Sequence, residues 1–226
     1  KKGGNNRSFL KTECRDMKSL AKFLGYYIAE GHIDYGKCNR PTLSFGVKEE
    51  HTLVADAIEC IEKAFGLNPT IQKPHKSEIQ IRINSSALAE FLKNVGVGIG
   101  AHNKRVPGIV FNLSAENQKE FLKAYFAGDG YYYKNGANGY LAAKTASKQL
   151  VSDLAYLLLQ QGFASHLKGP FTEPQRILNG HILKESTVYK IYLAEKEFER
   201  VPHPIGHWPH SLPVLEIKLE EMIPFI

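Results

Sequence analysis

The segment Phe23-Leu24-Gly25-Tyr26-Tyr27-Ile28-Ala29-Glu30-Gly31 is apolar for about two helical turns, then stops at an acid followed by glycine. Later in the chain Leu122-Lys123-Ala124-Tyr125-Phe126-Ala127-Gly128-Asp129-Gly130 repeats the pattern. A repeat decides an architecture before any single element does. The wider stretches 19–31 and 120–130 are helix-length, and each is followed by two short runs with strand character: 33–37 and 42–47 after the first, 131–134 and 140–144 after the second. Turn residues join each pair, Asn39-Arg40-Pro41 in one and Asn135-Gly136-Ala137-Asn138-Gly139 in the other. An amphipathic helix comes next in both halves, 49–65 and 147–161, closing at Gly66 and Gly162 as helix-ending glycines do. A second strand pair follows (70–72 with 78–83; 165–168 with 187–192), then a short helical run (85–94; 194–200).

The order α-β-β-α-β-β-α, twice, predicts an α+β pseudo-twofold repeat with two antiparallel sheets, helices on one face of each and the other face free for a ligand. The expected division is an arm at 1–18, a first repeat at 19–94, a linker at 95–115, a second repeat at 116–200 and a tail at 201–226. Gly25 with Ala29, and Ala124 with Gly128, place small residues at i and i+4, which lets two helix backbones approach closely. The two repeated helices are therefore expected to pack side by side, with Tyr26, Tyr27 and Tyr125 in the core.

Each of these helices ends in a carboxylate, the unfavoured charge beside unpaired carbonyls. Two such ends, Glu30 and Asp129 with the carbonyls of Ala29 and Gly128, make an oxygen-only donor set suited to Mg²⁺ or Mn²⁺. A bound cation of that kind activates water and stabilises the leaving oxygen of a phosphodiester. Either acid alone reads as a solvated carboxylate before a turn glycine, and it is the symmetric pair that carries the argument.

Composition agrees. The chain of 226 residues has 29 Lys and Arg against 23 Asp and Glu, a net charge of +6 that favours polyanionic partners. There is no run of eighteen apolar residues and no charged-then-apolar leader, so the expected compartment is the cytoplasm. Cys14, Cys38 and Cys60 are scattered and never spaced as CxxC, which argues against a disulfide framework or structural zinc. His203, His207 and His210 lie among prolines at a spacing that fits no helix, and are read as a structural or DNA-contacting tail.

The motifs at 23–31 and 122–130 resemble those of the LAGLIDADG homing endonucleases, with Glu30 and Asp129 in the position of the metal-binding acids. The segment Asn103-Lys104-Arg105-Val106-Pro107 is similar to the Lys-x-Ile-Pro block of the endonuclease domains inside archaeal inteins, and 157–163 resembles their later helix-ending block. The resemblance implies a monomeric, metal-dependent double-stranded DNA endonuclease that acts on a long asymmetric site through two saddle-shaped sheets. Lys104 becomes the candidate basic residue beside the metals, and equally reads as a surface lysine before a proline turn. Its counterpart in the second half is Lys190 or Lys196.

The candidate DNA-binding set is Lys37, Arg40, Ser44, Lys48, Lys73, Lys76, Gln80, Arg82, Tyr131, Tyr133, Lys134, Lys144 and Lys168, with alternate strand residues reaching bases and lysines holding phosphates. Exposed lysines also protect sheet edges from aggregation. Neither the Cys or Ser nucleophile nor the terminal His-Asn of a self-splicing intein is present, so splicing is not expected. An intron maturase or a non-cleaving DNA-binding regulator on the same scaffold is the alternative, and the two intact acids favour cleavage.

Overall fold

The computed structural model describes residues 13–35, 39–135, 138–178 and 181–194. Helix α1 (Met17–Glu30) opens on Asp16, whose carboxylate accepts the backbone N–H and the hydroxyl of Ser19, both at 2.9 Å. Strands β1 (Gly31–Asp34) and β2 (Arg40–Gly46), helix α2 (Ala55–Phe65), strands β3 (Thr70–His75) and β4 (Glu78–Arg82), and helix α3 (Ser86–Asn94) complete the first series. The second series runs through α4 (Ala115–Asp129), β5 (Gly130–Asn135), β6 (Asn138–Thr145), α5 (Lys148–Gln160) and β7 (His166–Glu173) to a hairpin of β8 (Arg176–Leu178) and β9 (His181–Leu183), and ends at β10 (Ser186–Ala194). The fold is the expected α+β class with two four-stranded antiparallel sheets, ordered β1-β2-β4-β3 and β5-β6-β10-β7. The strand connectivity is the same in both once the β8–β9 hairpin is set aside.

Several boundaries differ from the sequence reading, each for a local reason. The helix expected from residue 49 begins only at Ala55, after a 3₁₀ turn (Val47–Glu49) and a π turn (Glu50–Val54). There the Glu49 carboxylate accepts the Gly46 N–H at 2.8 Å, and the Thr52 hydroxyl bonds the Glu49 carbonyl at 3.3 Å, competing with a regular ladder. Arg40 and Pro41, read as turn, start β2, where a proline near the first residue of a strand is tolerated. Strand β7 continues through Pro170, which an edge strand permits, and the β8–β9 hairpin was not foreseen. Ala194 closes β10 rather than opening a helix. The remainder of that expected helix (195–200), the arm up to residue 12, the tail, Cys38, Lys37 and Lys196 lie outside the described residues.

The contacts divide the chain into two compact units. One reaches Val97 and takes in Pro107–Gly128; the other joins Gly98–Val106 to the chain from Asp129 onward. In the first unit α1 is the central element, buried along Leu20, Phe23, Leu24, Tyr27 and Ile28. Phe23 meets Phe65 of α2 edge-on at 4.9 Å. Lys22 pairs with Asp56 at the head of α2, and the Tyr26 hydroxyl donates to the same carboxylate at 2.6 Å.

On the other side of α1, the body of α4 lies against it through the small residues. A Cβ added at Gly25 would fall 2.3 Å from the Phe121 carbonyl oxygen and 2.8 Å from Ala124 Cβ; one at Gly128 would fall 2.6 Å from Ala29 Cβ. Only hydrogen fits at Gly25 against a partner backbone. Tyr26, Tyr27 and Tyr125 are core residues, as read from the sequence.

In the second unit α5 covers one sheet face with Leu150, Val151, Leu154, Leu157 and Leu158, packing on buried Leu141, Ala143, Ile191 and Leu193. No described helix is long and apolar enough to cross a membrane.

Replacing Gly25 by Ala should cost about 2–3 kcal/mol or more, because the clash is with backbone and α1 must move away from α4. Gly108→Ala, where an added Cβ meets nothing within 4 Å, should stay within about 0.5 kcal/mol. Urea unfolding of both variants checks this; an unchanged midpoint for Gly25→Ala would remove the close helix approach.

Candidate active site and nucleic-acid interface

Glu30 is the last residue of α1, half-buried, and no basic residue occupies the final turn. Gly31 caps the helix in extended conformation, its N–H donating to the Tyr27 carbonyl. The Glu30 side chain lies along Gly128, where a Cβ would meet Glu30 Cγ and Oε1, each at 3.1 Å. The glycine before Asp129 thus leaves room for the Glu30 carboxylate.

Asp129 ends α4 and begins the second unit, and the last turn of this helix also carries no basic residue. Burial strips water from its carboxylate and pushes the pKa up to about 6, against a smaller opposing pull from the Lys104 ammonium. A desolvated carboxylate at a helix C-terminus is an electrostatic demand for positive charge.

Lys104 is brought there by its backbone. Ser147 caps α5, its Oγ accepting the Leu150 N–H at 3.1 Å while donating to the Lys104 carbonyl at 2.6 Å. Two residues on, the Val106 N–H donates to Asp153 Oδ2 at 3.1 Å, and Gln149 holds the other oxygen of that carboxylate at 2.7 Å. The segment from Lys104 to Val106 is therefore fastened to the first turns of α5. This role of Ser147 and Asp153 was not found in the sequence, where Ser147 showed only as a helix start.

The sheet faces not covered by helices differ in chemistry. In the first sheet Leu43, Phe45, Ile79 and Ile81 are buried, and the alternate register carries polar groups in cross-strand rows: Asp34 with Arg40, His32 with Thr42, Arg82 and Thr70, and Ser44 with Gln80 and Gln72. They bond one another: Thr42 and His32 to Asp34 at 2.9 and 3.1 Å, Arg82 to Gln80 at 3.2 and 2.9 Å, and Gln80 to Glu78 at 2.8 Å. The Arg40 Nε is buried with no acceptor among the described residues. Arg40, Ser44, Gln80 and Arg82 are thus gathered on one face. His32, Asp34, Thr42 and Glu78 join them; the alternation through 42–45 and 78–82 was the signal that would have found Thr42 and Glu78.

Three lysines of the first half fall elsewhere. Lys48 is in the 3₁₀ turn, Lys76 is at the tip of the β3–β4 hairpin, and Lys73 is held by Glu50 at 2.7 and 2.8 Å.

In the second sheet Tyr131 and Tyr133 share the open register with Tyr140 and Tyr192, whereas Lys134 takes the alternate register with Tyr132. Tyr133 stacks on Tyr140 at 5.1 Å, and Tyr140 meets Tyr192 edge-on at 5.3 Å. Lys144, Lys190 and Lys168 stand directly opposite one another across three strands.

Residues 116–199 match the family model of the LAGLIDADG-like domain. Among solved structures, the homing endonuclease I-DmoI in complex with DNA and Ca superposes with a TM-score of 0.55 at 14% identity, covering 81% of this chain and 86% of that one. I-WcaI bound to its DNA recognition sequence gives 0.53 at 16% identity, covering 88% and 87%. This chain carries the LAGLIDADG homing-endonuclease fold.

The curated relatives are much longer proteins. An uncharacterized protein of Methanocaldococcus jannaschii is 33% identical over 67% of this chain, and the DNA polymerase II large subunit of Thermococcus kodakarensis 35% identical over 63%. The chain spans 18% and 8% of their lengths.

Desolvation of Asp129 has a measurable consequence. Its pKa rises from an ordinary 3.8 to about 6 on folding, so the folded state holds the proton more tightly and ionisation opposes folding. The cost is absent below about pH 4, grows up to about pH 6 and is full above it; at roughly 1.4 kcal/mol per unit it reaches on the order of 2–3 kcal/mol. In metal-free buffer Asp129→Asn should therefore stabilise the protein by up to that amount at pH 7.5 and hardly at all at pH 4, as read by urea unfolding at both. An equal gain at the two pH values would show that the carboxylate is not desolvated.

Proposed function

We propose that this chain is a site-specific double-stranded DNA endonuclease that hydrolyses phosphodiesters at divalent metal ions, Mg²⁺ or Mn²⁺. It works as a monomer on a long asymmetric target. Glu30 and Asp129, with the carbonyls of Ala29 and Gly128, are the proposed metal ligands.

The observation that carries the reading is the desolvated Asp129 carboxylate, next in the chain after the glycine that makes room for the Glu30 side chain. The donor set fits the ion: hard carboxylate oxygens at helix C-termini with no basic residue in either last turn. No cluster of three or more His, Cys, Asp or Glu is present among the described residues, and Mg²⁺ does not require one, since it retains waters and binds through one or two carboxylates with substrate phosphate. When bound, a divalent ion lowers the pKa of water and offsets charge on the leaving oxygen. That I-DmoI is found in complex with DNA and Ca, and with DNA and Mn, supports the reading.

The chain's own residues supply positioning. Glu30 and Asp129 fix the oxygens that hold the ions, and burial of Asp129 makes ion binding the favoured way to keep it ionised. Lys104, its backbone tied to α5, holds an ammonium beside Asp129, where it orients the attacking water or offsets charge on the phosphate.

Cleavage of a plasmid library of candidate sites with Mg²⁺, and binding scored separately in Ca²⁺, test the proposal. The wild type should make specific double-strand cuts, while Glu30→Gln and Asp129→Asn should still bind and lose at least about 10²–10³-fold in cutting. Tight binding by the wild type without cutting in any metal would replace this reading by that of a non-cleaving nucleic-acid binder.

A further inference from the structure

Cross-strand neighbours of like charge destabilise a sheet, yet Lys144, Lys190 and Lys168 form one row across β6, β10 and β7. A register shift between Val188 and Lys190 brings Phe171 and Glu173 to the same side. Only Lys144 finds a carboxylate there, Glu173 at 2.7 Å. The Lys190 ammonium lies over the Phe171 ring at 5.3 Å and that of Lys168 over Tyr192 at 5.1 Å, and neither has an ion pair among the described residues. The row is continued by the tyrosines Tyr131, Tyr133, Tyr140 and Tyr192, of which Tyr131 and Tyr133 are markedly exposed.

The open face of the first sheet is of another kind. Its Asp34, Ser44, Gln80 and Arg82 set an acid against a base and present directional donors and acceptors. These are the groups that distinguish base edges in the major groove: Gln for adenine, Arg for guanine, a carboxylate for cytosine. They also orient one another through the hydrogen bonds described above, which fixes each fork before a ligand arrives. Ammonium groups on flexible stems have no fixed fork; a lysine can reach guanine O6 and N7, but a row of three lysines, two of them without an ion pair among the described residues, suits the regular charge of a phosphate backbone best.

We infer that the two sheets divide the recognition of the duplex. The first sheet reads base sequence through the pre-oriented Gln80 and Arg82 with Ser44 beside them, and the Lys144–Lys190–Lys168 row of the second grips the phosphate backbone with little regard to sequence. The inference rests on the DNA-endonuclease reading above, and assigns Lys190 to the backbone grip instead of to the metal centre. It makes the target asymmetric in information as well as in length.

The test is selection of bound duplexes from a randomised double-stranded DNA library in Ca²⁺, followed by titration of the selected duplex at several salt concentrations. The wild type should select a site whose informative positions concentrate in one half. The triple variant Lys144→Gln, Lys168→Gln, Lys190→Gln should select the same motif with lower affinity, and the slope of log affinity against log salt should fall by about 2–3, near 0.9 per lost phosphate contact. The single edge-strand variant Lys168→Gln should lower the slope by about 1, which guards against misfolding of the triple.

Gln80→Ala should leave the slope unchanged and relax the preference at one base pair by roughly ten- to a hundredfold. A motif equally informative in both halves, or one altered by the lysine changes, overturns the division and leaves the endonuclease reading intact. A wild type that retains no duplex at any salt overturns both.

Discussion

Everything in the first unit depends on how closely the backbone of α4 can approach α1. Helices normally stand 8–10 Å apart, separated by side chains. Here Gly25 lies against the Phe121 carbonyl and Ala124, and Ala29 against Gly128, so the helices share a strip almost bare of side chains. The same strip ends beside Glu30, whose side chain lies along Gly128. The device that packs the helices therefore also leaves the Glu30 carboxylate its room at the C-terminus of α1, where the last turn carries no basic residue.

The Asp129 carboxylate at the end of α4 is met by a positive charge brought from elsewhere in the chain. Lys104 arrives on the connection between α3 and α4, whose only regular structure is two 3₁₀ segments (Ala101–Asn103 and Gly108–Asn112), and it is held by hydrogen bonds to the start of α5. A serine that caps a helix and also binds a distant carbonyl does two jobs with one hydroxyl. Asp153 likewise satisfies a buried N–H that would otherwise lack a partner. Neither residue touches the acids, yet both fix where the ammonium sits.

Much of this was legible because the repeat is legible. Two apolar helices ending in acid-glycine, with small residues at matched positions, predicted the α1–α4 contact, and the strand runs that follow each predicted the two antiparallel sheets. The period-2 alternation around Leu43, Phe45, Ile79 and Ile81 gave the buried face, and with it Ser44, Gln80 and Arg82 on the other. What stayed hidden depends on register and on long-range capping. Nothing local announces that Lys144, Lys190 and Lys168 stand in one row, since strand pairing sets it. Lys134 and Lys73 stand among the candidate DNA contacts, but pleat puts Lys134 in the alternate register with Tyr132 and an ion pair holds Lys73 to Glu50. The β8–β9 hairpin escaped because its strands are three residues each, too short for a periodic signal.

The path of the chain between its two units carries one more meaning. It passes from one to the other at 97–98, again at 106–107 and again at 128–129, and α4 belongs by its contacts to the unit of the first motif although its sequence opens the second repeat. The units are thus sewn together rather than strung in line. A cut at any one seam leaves two further strands of chain joining them, and a fragment beginning at α4 would carry a helix whose bare strip has lost its counterpart. Halves exchanged between two proteins of this kind must be exchanged at the seams of contact, not at the seams of sequence.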